Sequence, residues 1–131
     1  MISALSPVPT ELSLPFWSAA KEHRLTVQTC TQCRKLHFPP VPSCTRCTSE
    51  ALHWQDVSGQ GRVITWTVTH QSYHPDLATP YAVVLIELVE QPNLLMYGNY
   101  RGALETLTVG TPVRAVYEDR PDDWTLIQWM P

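Results

Sequence analysis

The sequence predicts a mainly β chain: one N-terminal helix, a cysteine-held ribbon and a C-terminal five-stranded barrel. Three observations predict it. Twelve prolines in 131 residues disfavour a bundle of long helices and suit short strands with many corners. Two C-x-x-C pairs, Cys30/Cys33 and Cys44/Cys47, are separated by ten residues, enough for one hairpin. Residues 56–131 carry five β-rich runs separated by turn signals. With 44% hydrophobic and 16% charged residues, the chain can bury a core and falls outside the disordered class.

Residues 1–24 are expected to form an arm and a helix. MISALSPVP has two prolines and no periodicity, so residues 1–9 read as a loose arm. TELSLPFWSAAKEHR then reads as helical over 10–24, with Thr10 and Ser13 as candidate caps and Pro15 tolerated in the first turn. Phe16, Ala19, Ala20 and His23 share one face at helical spacing, with Trp17 beside them. Such a face docks on another body, and Trp is enriched among interface anchors. Phe16 and Trp17 are therefore candidate partner contacts.

Residues 25–55 form the cysteine zone. A C-x-x-C turn folds back so that both sulfurs face one point, and two such knuckles complete a tetrahedron around a metal. Leu36-His37-Phe38-Pro39-Pro40 supplies the strand and corner of the hairpin between them. A segment of this length is too short to build its own core. Metal binding worth roughly 10–16 kcal/mol makes up the deficit. Structural Zn²⁺ on Cys30, Cys33, Cys44 and Cys47 is the expectation, with two disulfides or an iron–sulfur site as alternatives. Four thiolates leave no open position for water, which argues against catalytic zinc. His37 could act as a ligand only in place of a missing cysteine, and none is missing.

Residues 56–131 read as strands. Gly61–His70 alternates, with Ile64, Trp66 and Val68 on one face and Val63, Thr65 and Thr67 on the other. Pro80–Val89 reads as a strand buried on both faces. Leu94–Tyr100 is a third strand, with Gly98 as a bulge or close-approach point. A turn or short helix is expected at Gly102–Leu107, then strands at Thr111–Glu118 and Trp124–Trp129. Five short strands with a small helix before the fourth predict a small closed barrel, of which the oligonucleotide/oligosaccharide-binding (OB) fold is the commonest design.

The net charge is −3, against the basic footprint of a nucleic-acid binder. Its distribution is uneven. Residues 15–46 carry Lys21, Arg24, Arg34, Lys35 and Arg46 against Glu22, a net of +4. Residues 57–131 carry four arginines against eight carboxylates, a net of −4. The five cations are candidate contacts for a phosphate-bearing ligand or an acidic partner. A single-stranded nucleic-acid module is the alternative that the barrel invites, but the barrel half is acidic. His70, His74 and Asp76 in HQSYHPDLATPY would form an acid/base set in a free-standing enzyme. The loop reads instead as a contact surface, with Tyr73 and His74 as candidate partner contacts. The N-terminus lacks a charged n-region and an apolar run, so a cytoplasmic protein is expected. That compartment is reducing, which favours metal over disulfides.

The order Pro15-Phe16-Trp17, a basic helix end, two knuckles flanking Phe38-Pro39-Pro40, Gly59-x-Gly61, Pro80-Tyr81 and Gly110-x-Pro112-Val113 resembles a known family. It is similar to the zinc-ribbon-plus-OB-fold acyl-CoA-associated proteins, domain of unknown function 35, from about Leu14 to Gln128. The resemblance implies an N-terminal helix, a rubredoxin-like ribbon and a C-terminal OB barrel. It further implies a non-catalytic accessory subunit. Such subunits accompany thiolase-like enzymes, acyl-CoA hydratases, or thiolase-related aldolases that cleave acyl-CoA side chains, as in steroid degradation. They help to hold the acyl-CoA.

Overall fold

A computed structural model describes residues 6–131; the part of the expected arm at residues 1–5 lies outside the described residues. The chain forms two compact units. One comprises residues up to Ser58 together with Tyr117–Ile127, the other Gly59–Val116 together with Gln128–Pro131. No helix among the described residues is long and apolar enough to cross a membrane.

In the first unit, helix α1 spans Leu14–Lys21, shorter than the expected 10–24. Pro15 stands in its first turn, where a missing N–H is harmless. Of the two expected caps, Ser13 holds the N-cap position, but its hydroxyl accepts from the Thr10 N–H at 2.9 Å rather than from the helix. The helix stops because His23 turns left-handed, at φ 58. Arg24 N–H then donates to Ala19 O at 3.0 Å and His23 N–H to Ala20 O at 2.9 Å, a Schellman ending with histidine at the position glycine usually takes. Phe16, Ala19 and Ala20 are buried as expected, whereas His23 is exposed beyond the helix.

Strand β1 (Leu25–Cys30) is central to a three-stranded sheet, between β2 (Leu36–His37) and β3 (Leu52–Val57), both antiparallel to it. Leu25 and Val27 are fully enclosed. Gln28 grips the loop after β2 at both ends of its amide. Its Nε2 donates to Val41 O at 3.2 Å, and its Oε1 accepts from Val41 N–H at 2.7 Å. Phe16 of α1 packs on Phe38 of that loop with ring centroids 5.0 Å apart.

The later strands are β4 (Gln60–Thr69), β5 (Tyr81–Leu88), β6 (Leu95–Asn99), β7 (Pro112–Asp119) and β8 (Thr125–Met130), with a 3₁₀ turn at Leu104–Thr106. Every strand end lies within one residue of its expected position. The sheet order is β6-β5-β4-β7-β8. Two glycines set the start of β4. Gly59 has φ +79, and a Cβ on Gly61 would lie 2.6 Å from Glu87 O across the β4–β5 ladder.

Three expectations are corrected here. The β4–β5 register shifts between Val63 and Thr65, so Ile64 is a bulge that puts Val63 and Trp66 on the same, buried side of the ladder. Val63 pairs with Ile86 and Trp66 with Val84, both enclosed. Strand β5 alternates instead of being buried on both faces: Ala82, Val84, Ile86 and Leu88 are buried and the intervening residues half-buried. Gly98 is no bulge; it pairs with Val84 in unbroken register.

The barrel is OB-like but not closed by a continuous ladder. The last contact is a single parallel bridge, Tyr100 to Trp129. Arg101 N–H donates to Trp129 O at 2.7 Å and Asn99 N–H to Gln128 Oε1 at 2.6 Å beside it.

Candidate metal centre and its surroundings

The two C-x-x-C turns are built alike. Cys30 N–H donates to Lys35 O at 2.9 Å and Cys44 N–H to Ser49 O at 2.8 Å. Arg34 N–H returns to Cys30 O at 2.8 Å, and Thr48 N–H to Cys44 O at 2.9 Å. The residue after each second cysteine is left-handed, Arg34 at φ 70 and Thr48 at φ 64. A non-glycine residue there costs about 1–2 kcal/mol, so both turns carry strain that the closure of the knuckle must offset.

This repeated turn brings the sulfurs of Cys30, Cys33, Cys44 and Cys47 within 4.8 Å of one another. Cys30 to Cys47 and Cys33 to Cys44 are each 3.5 Å, and no disulfide joins them. Sulfurs placed tetrahedrally at 2.3 Å from an ion stand about 3.8 Å apart, so the donor set fits a tetrahedral thiolate-bound ion. Cys30 and Cys44 are buried, and Cys33 and Cys47 half-buried.

Backbone amides point at the sulfurs. Cys33 N–H approaches Cys30 Sγ at 3.5 Å and holds that thiol below its ordinary range. Burial opposes ionisation of Cys44, but the N–H groups of Cys47 and Arg46, together with His37, bring it to about 5. The Ser49 N–H favours a Cys47 thiolate, yet burial and the three neighbouring sulfurs prevail and push it up to about 12. Four thiols packed this closely cannot all ionise unaided. A divalent cation among them removes the conflict.

The five candidate cations separate into two groups. Lys21 Nζ is 3.0 Å from Asp123 Oδ2 and lies 5.0 Å from the centre of the Trp124 ring. Arg24 is 2.7 Å from Asp56 and 3.6 Å from Glu22. Both therefore serve internal pairs. Arg34, Lys35 and Arg46 sit on the knuckles. Lys35 Nζ donates to Thr45 Oγ1 at 3.0 Å, and no carboxylate pairs with any of the three among the described residues.

Phe16 is packed inside and offers a partner little surface, whereas Trp17 is half-buried, edge-on to Phe16 at 5.0 Å. Tyr73 is 71% exposed. His74 is half-buried, and its Nδ1 accepts from Asp76 N–H at 3.1 Å. His70 is exposed.

Two features were not legible as site elements in the sequence. His37 Nε2 lies 3.4 Å from Cys44 Sγ. His23 Nε2 meets both oxygens of Asp119 at 3.0 and 3.1 Å while its ring stacks on Tyr117 at 5.0 Å. The complete cysteine set left His37 without an evident role; the second feature joins residues 96 positions apart and left no signal.

Comparisons with known proteins agree with this architecture. The family described as "ChsH2, rubredoxin-like zinc ribbon domain" matches residues 17–53, and "ChsH2, C-terminal OB-fold domain" matches 54–118. The 3-oxo-4,17-pregnadiene-20-carboxyl-CoA hydratase alpha subunit of Mycobacterium tuberculosis is 36% identical over 88% of this chain. A probable enoyl-CoA hydratase alpha subunit of Thermomonospora curvata is 35% identical over 88%. The chain spans only 36% of the length of each of these two relatives. A solved structure described as "Ltp2-ChsH2(DUF35) aldolase" is 31% identical, with a TM-score of 0.88, covering 96% of this chain and 98% of that one. By fold, by cysteine geometry and by these likenesses, the chain belongs to the ChsH2-type DUF35 family, in which a rubredoxin-like zinc ribbon precedes an OB-fold domain.

Proposed function

We propose that this chain holds one structural Zn²⁺ on Cys30, Cys33, Cys44 and Cys47 and acts as a non-catalytic accessory subunit. It docks on a thiolase-like, aldolase-type or hydratase-type acyl-CoA enzyme and helps to hold the acyl-CoA, in steroid or other acyl-CoA side-chain metabolism. The observation that carries the reading is the likeness to the Ltp2-ChsH2(DUF35) aldolase, which runs nearly end to end in both chains. When bound, the ion replaces the core that residues 25–55 are too short to build.

The knuckle cations support the ligand half of the reading. Arg34 occupies a left-handed position that glycine would fill without strain. A cation there, with Lys35 and Arg46 close by in sequence, suits charge-assisted contact to the phosphates of coenzyme A. Trp17 and the Tyr73–His74 loop present aromatic surface for the partner enzyme.

The test is to co-purify the tagged chain with its native partner and assay acyl-CoA turnover by the complex and by each part. The complex should be active and the chain alone inactive. An R34E/R46E variant should raise the KM for acyl-CoA several-fold while the complex stays assembled. Turnover by the isolated chain, lost on His70 or His74 substitution, would establish a free-standing enzyme instead. Salt-steep binding of single strands would establish a nucleic-acid module.

A further inference from the structure

A centre of four thiolates and one divalent cation carries a net charge of −2 in a largely enclosed place. Hydrogen bonds to the sulfurs must offset that charge. Those from the knuckle backbone, such as Cys33 N–H to Cys30 and Arg46 N–H to Cys44 at 3.4 Å, come with the turn itself. One donor does not. His37 is on β2, opposite Gln28 of β1 and outside both knuckles. It is 6% exposed, so its ring needs a polar partner inside the protein. That partner is Cys44 Sγ, 3.4 Å from Nε2.

We propose that His37 is a positioning residue of the metal centre: its Nε2–H donates to Cys44 Sγ, fixes that sulfur and draws electron density from it. The assignment rests on the reading of the four cysteines as a metal site. It makes the ligands unequal. Cys30 is shielded by burial and Cys44 by burial and His37. Cys33 and Cys47, half-buried, are the sulfurs an electrophile meets first. An imidazole that merely filled space would leave the sulfurs' electronic character unchanged, which separates the two roles by experiment.

The experiment uses the full chain as wild type, H37F and H37Q, loaded with Zn²⁺ or Co²⁺. H37F keeps the ring volume and removes the donor; H37Q keeps a donor. In H37F, chelator competition should show metal affinity falling about 10- to 100-fold. The thiolate-to-cobalt charge-transfer band should move to lower energy. Iodoacetamide labelling of the zinc form, read by peptide mass, should rise at Cys44 and not at Cys33 or Cys47. H37Q should lie close to wild type in all three. A folded H37F with wild-type affinity, band position and labelling would overturn the role of His37 alone. Where H37F fails to fold, H37Q against H37L decides by the same readings, and equal values overturn it. A wild-type chain that retains no metal overturns the metal reading and this one together.

Discussion

Glu87 sits where two donors converge. Asn93 N–H donates to one carboxylate oxygen at 3.0 Å, and Arg62 Nε donates to the other at 3.0 Å. The Asn93 amide, then the Arg62 guanidinium, hold the carboxyl below its ordinary value of 4.5. A depressed carboxyl stabilises the fold above its unfolded value, and that contribution disappears as pH falls through the folded value. Glu87→Gln should therefore lower the urea midpoint at pH 7, and the loss should shrink as the pH is lowered through the carboxyl's depressed folded value; a loss that does not change with pH would contradict the account. None of this was legible beforehand, because Glu87 meets Arg62 across a ladder whose register depends on the Ile64 bulge. The cysteines were legible for the opposite reason: a C-x-x-C turn is a local object whose geometry follows from its own spacing. The link from Cys44 to His37 is not local, and sequence spacing alone placed His37 as a bystander.

Helix α1 has only eight residues, too short to persist by propensity. It is held by what it buries. Phe16, inside against Phe38, is the anchor, while Trp17 lies across its edge. Phe16→Ala should cost about 3–5 kcal/mol in thermal or denaturant unfolding. Trp17→Ala should cost distinctly less, and an equal loss would mean that the two rings share the anchoring. The apolar face was readable from the 3.6-residue period. The end of the helix was not, since nothing in KEHR marks His23 as the residue that turns left-handed. That turn puts the imidazole on Asp119 rather than in the helix face. The strands of the barrel were readable to within a residue, because each is bounded by glycine, proline, asparagine or aspartate. Closure was the element-scale expectation that did not hold. The ladder ends in one bridge at Trp129, whose ring is fully enclosed.

At the scale of the whole molecule, the two units draw on different sources of stability. The unit of β4–β6 has an enclosed apolar centre in Val63, Val84, Ile86 and Leu88. On the proposed metal reading, the ribbon instead depends on the ion. A chelator should abolish amide-exchange protection in β1–β3 while β4–β6 remain protected; loss of both together would show one cooperative unit. The fold class was legible because proline content, cysteine spacing and strand runs each point to it independently. The grouping of Tyr117–Ile127 with the first unit was not, since the contacts that accompany it, such as Lys21 with Asp123 and His23 with Asp119, join residues some hundred positions apart. The path of the chain thus leaves the first unit at Ser58, returns at Tyr117 and departs again after Ile127. No single cut in the gene separates a complete first unit from the rest. A fragment ending at Ser58 would lack the carboxylates that receive Lys21 and His23. Inheritance or transplantation of this ribbon therefore has to carry the later segment with it.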